Sequence, residues 1–161
     1  MIFKVITADL GSLLHAEGIV AVLDSYASEP LGGGTPLNAD VRERLISELR
    51  RHPTTRIWIA ENEDRQAIGV AVCFLGFSTF AARPLLNIHD LAVLPQYRGN
   101  GIGAALLEAV ERSARELGCC KVTLEVRADN RRARSLYARS GFGNFSPGEQ
   151  PVETIFMEKK L

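Results

Sequence analysis

The sequence predicts an α/β fold of the α+β kind: one domain over residues 1–161 whose mixed, mostly antiparallel sheet is flanked by about four helices. Three observations carry this. Residues 55–61 and 67–78 are rich in β-branched and aromatic side chains, and the polar segment between them reads as a hairpin turn. Residues 85–94 are apolar on both faces, as a central strand is, and lead through a glycine-rich turn into an amphipathic helix. With 161 residues, of which 46% are hydrophobic and 24% charged, the chain can fill one core and is short for two.

The elements follow in order. Residues 2–8 alternate as a first strand, β1. Asp9 or Ser12 can cap a helix, α1, whose apolar positions Leu13, Ala16, Val20 and Leu23 keep helical spacing, with Pro30 beyond its end. After the loop Gly32-Gly33-Gly34-Thr35-Pro36, Asn38 can cap α2, with Val41, Leu45, Ile46 and Leu49 on one side and His52-Pro53 as its stop. That loop is either a simple connector or the edge of a ligand entrance. The segments 55–61, 67–78 and 85–94 are β2, β3 and β4. In α3, over 102–117, Ile102, Leu106, Val110, Ala114 and Leu117 form one stripe, Glu108/Arg112 and Glu111/Arg115 pair four apart, and Gly118 ends the helix. Residues 120–127 form β5, Asn130 caps a short α4 ending before Gly141, and 142–146 and 152–160 read as closing strands β6 and β7. The predicted order is β1-α1-α2-β2-β3-β4-α3-β5-α4-β6-β7.

Nineteen Lys+Arg balance nineteen Asp+Glu, so no long-range field gathers nucleic acid or an anionic membrane. Neither partner is expected. The apolar run at the start is too short for a signal peptide and no stretch reaches the length of a membrane span, which points to a cytoplasmic protein. Cys73, Cys119 and Cys120 are odd in number and lack CxxC spacing; they read as reduced packing residues, and no metal site is expected.

The chemistry concentrates between β4 and α3, in Gln96-Tyr97-Arg98-Gly99-Asn100-Gly101-Ile102-Gly103-Ala104. Glycines spaced this way let backbone N–H groups converge, and the following helix aims its positive end at the same point, so the natural guest is a pyrophosphate with Arg98 at its rim. A turn that only tightens a strand-to-helix junction requires fewer glycines. Gly99-x-Gly101-x-x-Ala104 also satisfies a loose dinucleotide fingerprint, yet Pro95 to Arg98 separate it from the strand and several βα units do not follow. No Gly-Lys-Ser/Thr follows to make a P-loop.

Arg98-x-x-Gly101-x-Gly103, preceded by Ile88-His89-Asp90-Leu91-Ala92-Val93 and followed by Ala105-Leu106-Leu107, resembles the acetyl-CoA-binding motif of the GNAT N-acetyltransferase superfamily. Asn130-x-x-Ala133-x-x-Leu136-Tyr137-x-x-x-Gly141-Phe142 is similar to that family's second motif, and together the two span 85–145. The resemblance implies a GNAT-like fold and acetyl-CoA as cosubstrate. It implies that the backbone of Leu91, Ala92 and Val93 pairs with the pantetheine arm, and that amides of Arg98, Gly99, Asn100, Gly101, Ile102, Gly103 and Ala104 hold the pyrophosphate. Asn130 and Ala133 would line the other side and Tyr137 would face the thioester sulfur. Arg131, Arg132 and Arg134 are candidates for the adenosine phosphate, against a solvated helix face.

The implied reaction moves an acetyl group to a primary amine of a small molecule by direct attack in a ternary complex. Transfer to a protein or peptide amine, or acyl-CoA binding without turnover, are the alternatives. An alkylamine with a pKa of about 10.4 is neutral in only about one molecule in two thousand at pH 7, so a base helps by about 4–5 kcal/mol. Asp90 and His89 are the candidates; alternation along a strand lets only one face the substrate. A Tyr-Asp-Leu-Ala-Val stretch in aminoglycoside 3-N-acetyltransferases is similar and favours Asp90 over His89 as base, with a hydrogen-bonded structural carboxylate as the other reading of Asp90. Tyr137 is expected to donate a hydrogen bond to the departing sulfur. No base lies near a cysteine in sequence to support a ping-pong route. Phe77 to Leu91 resembles the corresponding hairpin of diamine and polyamine acetyltransferases, which carry a Glu-Asp pair where this chain has His89-Asp90, so one carboxylate for a dication is missing. Phe77, Phe80 and Trp58 are read as core residues before pocket walls. Aromatic surface in the hairpin, and the dimers common among polyamine-type members, predict a homodimer.

Overall fold

The computed structural model describes residues 1–143 and 157–159. Among the described residues the sheet has five strands in chain order: β1 (Phe3–Thr7), β2 (Thr55–Asn62), β3 (Ala67–Ser78), β4 (Arg83–Val93) and β5 (Val122–Leu124). Neighbours from β1 to β4 pair antiparallel; short turns at 63–66 and 79–82 send the chain straight back between β2, β3 and β4, while α1 and α2 connect β1 to β2. Only β5 runs parallel to its neighbour, through Leu86↔Val122, Asn87↔Thr123 and Ile88↔Leu124. Parallel neighbours need a crossover, supplied here by the 3-10 turn Pro95–Tyr97 and α3 (Ile102–Glu116). Helices α1 (Leu13–Ala27) and α2 (Ala39–Arg51) precede β2, and α4 (Arg131–Arg139) follows β5.

The expected mixed, mostly antiparallel sheet with four helices is present. Two details differ. β5 covers three residues rather than 120–127, because β4 and β5 separate beyond the Ile88↔Leu124 pair and leave the ladder nothing to extend on. The expected strands at 142–146 and 152–160 fall outside the described residues, apart from 142–143 and 157–159, which are in no strand.

Side-chain alternation along the strands builds a core on each face. Ile57, Ile59, Val70 and Val72 pack beneath Ile19 and Val22 of α1 and Leu49 of α2. On the other face Ala60, Ala71, Cys73, Leu86 and Ile88 pack beneath Leu106 and Val110 of α3, both fully buried. Trp58 belongs to this second core, as expected. Phe77 and Phe80 do not: Phe77 is 63% exposed and Phe80 is wholly exposed, because the β3–β4 hairpin tip extends beyond both helical layers.

Capping resolves the ambiguity before α1. Ser12 is the N-cap, and Asp9 instead closes its own turn by accepting the Gly11 amide at 2.8 Å. His15 in that helix accepts the Asp9 N–H at Nδ1, 2.9 Å away, so its hydrogen sits on Nε2, which faces the buried Glu61 carboxylate at 3.0 Å. Lys4 reaches the same carboxylate at 3.1 Å, and this cluster pins α1 to the β1–β2 edge, remote from the site described next. No helix among the described residues is long and apolar enough to cross a membrane.

Candidate active site

Beyond Ile88, the β5 side of β4 has no strand partner among the described residues, and the gap opens into two adjoining cavities. The larger, about 1380 Å³, lies over the β4–α3 junction; the smaller, about 350 Å³, lies against the middle of β4. Tyr26, Leu91, Asn130 and Tyr137 line both. A ligand in the first can therefore meet one in the second at Tyr137.

The larger cavity is built by the glycine turn. Gly101, at φ +83°, is the N-cap of α3 in a left-handed conformation that lets the chain reverse into the helix. The amides of Gly99, Asn100, Gly101, Ile102, Gly103 and Ala104 have no acceptor among the described residues; intrahelical bonding begins with Ala105 N–H to Gly101 O at 3.0 Å. Six consecutive free donors at the positive end of a helix favour an anion. Gly103 also lies close under α4: a Cβ there would stand 3.0 Å from a Leu136 methyl, which would have to give by a few tenths of an ångström.

Every residue expected to hold the cosubstrate lines this cavity except Asn100, whose side chain turns back onto the Tyr97 and Arg98 carbonyls at 3.1 and 3.3 Å. The Arg98 side chain is already engaged: Nε donates to Val93 O at 2.8 Å and a terminal nitrogen pairs with Glu29. Asn130 caps α4, its Oδ1 accepting the Ala133 amide at 3.1 Å. Arg132 lines the larger cavity, whereas Arg134 bonds the Ala128 carbonyl at 3.0 Å and Arg131 is exposed.

In the smaller cavity the structure corrects a prediction. Val72 pairs with Asp90 but Cys73 pairs with Ile88, so His89 is the extra residue of a bulge. Without it, Asp90 and Ala92 would follow Leu86 and Ile88 toward α3. With it the parity flips: Ala92 enters the core beneath α1 and α2, and Leu91 and Val93 pack on the α3 side. His89 and Asp90 thus share one face and one cavity, rather than one of them facing away. The His89 ring sits edge-on to Phe74, centroids 5.6 Å apart.

Asp90 has no hydrogen-bond or ion-pair partner among the described residues, and burial pushes its carboxyl up, with the nearby His89 opposing in part. Burial pushes the Tyr137 hydroxyl up to about 12, reinforced by Tyr26. Tyr26 is raised too, by burial and by the carboxylates of Asp90 and Glu29. No spacing or motif marks Tyr26 in the sequence; its helical stripe gives it the pattern of a packing residue, and only the fold brings it to the junction of the cavities. Burial, then Asp90, pushes the Cys73 thiol up to about 12, leaving roughly one part in 100,000 as thiolate at pH 7. It is not a competent nucleophile.

A sheet parted at one parallel pair, with a turn of free amides on one side of a tyrosine and a carboxylate without a partner among the described residues on the other, has the layout of an acyltransferase that brings two substrates together. The model of the "Acetyltransferase (GNAT) family" matches residues 19–142, and the chain belongs to that family. It is 35% identical over 98 residues to the Bacillus subtilis N-acetyltransferase YhfO, a stretch covering 61% of this chain and 64% of YhfO. It is 32% identical over 105 residues to a thialysine N-epsilon-acetyltransferase of Bos taurus, covering 65% of this chain and 58% of that protein. The matched stretch is thus less than two thirds of either relative. Among solved structures, a probable acetyltransferase superposes with a TM-score of 0.78 at 17% identity, covering 96% of this chain and 99% of that one. The aminoglycoside acetyltransferase AAC(6')-Iy, bound to a CoA bisubstrate analogue, gives 0.76 at 18% identity over the whole of both chains. These two likenesses establish the fold.

Proposed function

We propose that the chain transfers an acetyl group from acetyl-CoA to a primary amine of a small molecule by direct attack within a ternary complex. The row of six unpartnered amides at the α3 N-terminus carries this reading, because it fits a pyrophosphate and stands in the cavity that meets the second one at Tyr137. The unpaired edge of β4 from Leu91 to Val93 offers its backbone to the pantetheine amides, as an added strand would. The thioester supplies the activated acyl group. Asp90 takes the proton that the amine loses on attack, directly or through a water, and Tyr137 donates a hydrogen bond to the sulfur as it departs. A smaller cavity near the lower end of the usual range for small-molecule sites supports a compact amine over a folded protein substrate.

Acetyl-CoA at 100 times its Kd is expected to stabilise the protein by about 2.7 kcal/mol, read as a rise in Tm, with NADH and FAD giving no comparable shift. Stabilisation by a dinucleotide alone would overturn the reading. A panel of small amines and of peptides, followed by release of free thiol, separates the amine reading from peptide acetylation and from an acyl-CoA-binding module that turns nothing over.

The same reading includes a homodimer through the β3–β4 hairpin, supported by the exposed rings of Phe77 and Phe80. Light scattering at micromolar concentration is expected to give twice the chain mass, and Phe77→Ser with Phe80→Ser to halve it. A monomer before substitution removes the proposal.

A further inference from the structure

Glu29 is not part of either motif, yet it lines the larger cavity and anchors a loop that reaches the smaller one. Its backbone carbonyl accepts the amides of Gly32, Gly33 and Gly34 at 2.9, 3.1 and 2.9 Å, and its own N–H donates to Tyr26 O at 3.0 Å. It therefore shapes the loop after α1, whose Leu31 lines both cavities beside Tyr26. Its side chain crosses 69 positions of sequence to pair with Arg98 in the glycine turn. The pair is largely screened from water, with side chains 28% and 23% exposed, which sets it apart from the ion pairs on the helix surfaces, whose side chains are half or more exposed.

The guanidinium has five N–H groups in a rigid fork. One meets Val93 O and one meets Glu29, and the others have no acceptor among the described residues. Arg98 can hold a phosphate oxygen on its free side without releasing Glu29. A lysine ammonium, a point charge without that fork, cannot span Val93, Glu29 and a phosphate at once.

We propose that Glu29 is a positioning residue that couples the two substrate sites: an anion in the glycine turn immobilises Arg98, Arg98 holds Glu29, and Glu29 fixes the loop that walls the acceptor cavity. The inference rests on the acyl-CoA reading above. It predicts that filling the donor site orders the acceptor wall, so the amine binds better to the loaded enzyme than to the free one.

Hydrogen exchange on the full chain, with and without CoA, tests it. CoA is expected to slow exchange at the 99–104 amides, which it contacts, and also about fivefold or more in the loop 28–37. In Glu29→Gln, which keeps the backbone carbonyl and the side-chain size, protection at 99–104 persists and protection in the loop is lost. Arg98→Lys is expected to lose the loop protection as well, and serves if the first variant does not fold. In steady state Glu29→Gln raises the KM of the amine about fivefold or more while that of acetyl-CoA changes less. Protection of the turn without protection of the loop in the unsubstituted protein overturns the coupling and leaves the acyl-CoA reading intact. So does loop protection that survives in Glu29→Gln. No protection at 99–104 overturns the acyl-CoA reading, and the coupling with it.

Discussion

Tyr137→Phe is expected to lower kcat ten- to a thousandfold, about 1.4–4 kcal/mol of lost transition-state stabilisation, with folding and acetyl-CoA affinity retained. The ring supplies the packing: its neighbour Phe142 lies 5.9 Å away between centroids, and phenylalanine preserves that contact. In the proposed mechanism the hydroxyl supplies the chemistry. With its pKa pushed up to about 12, against about 8.5 for a thiol, passing its proton fully to the departing sulfur is uphill by about 5 kcal/mol. A hydrogen bond that strengthens as negative charge collects on sulfur requires no such transfer and acts mainly in the transition state. The same shift means that Tyr137 gives no alkaline limb to the pH–rate profile below about pH 11. An unchanged kcat in Tyr137→Phe removes the residue from the mechanism.

Asp90→Asn is expected to do two opposite things. At neutral pH kcat/KM for the amine falls by about two to four orders of magnitude, the usual contribution of a positioned base, and climbs about tenfold per pH unit toward the amine's own pKa as solvent supplies the neutral nucleophile. Its Tm, in contrast, rises. The carboxyl is raised above its ordinary value of 3.8 by burial, so folding favours the protonated form, and the ionised form destabilises the fold at neutral pH. Removing the charge helps most above the folded-state pKa. The gain vanishes below pH 3.8, where folded and unfolded chains both hold the proton. A carboxylate serving only as a structural anchor would give the reverse: a lower Tm and no recovery at high pH. Thermal melts at several pH values, read beside the pH–rate profile, decide between them.

The order of elements and the glycine turn with its free amides were legible because they are local. Glycine spacing, the stripe of α3 and the Asn130 cap each act within about one helical turn, so adjacent residues carry their signal. What escaped was what depends on a partner strand or helix. The bulge at His89 is a mismatch in counting between β3 and β4, and the β4 sequence alone reads as an uninterrupted strand. Tyr26 and Glu29 reach the site only because α1 lies across the sheet, and Phe77 and Phe80 were assigned to the core because exposure at a hairpin tip depends on where the helical layers end.

The three-residue β4–β5 ladder also bears on how the molecule is made. Strands β2, β3 and β4 form a meander joined by four-residue turns, contacts that close quickly at low entropic cost. β5 can dock only after some thirty residues have been wound into the 3-10 turn and α3, so its alignment is among the later events of folding. The unpaired stretch of β4 and then the glycine turn follow that joint along the chain. A chain halted before the joint closes would already hold most of its sheet while lacking any site, and competence for acyl transfer would arrive with the final association of its two parts.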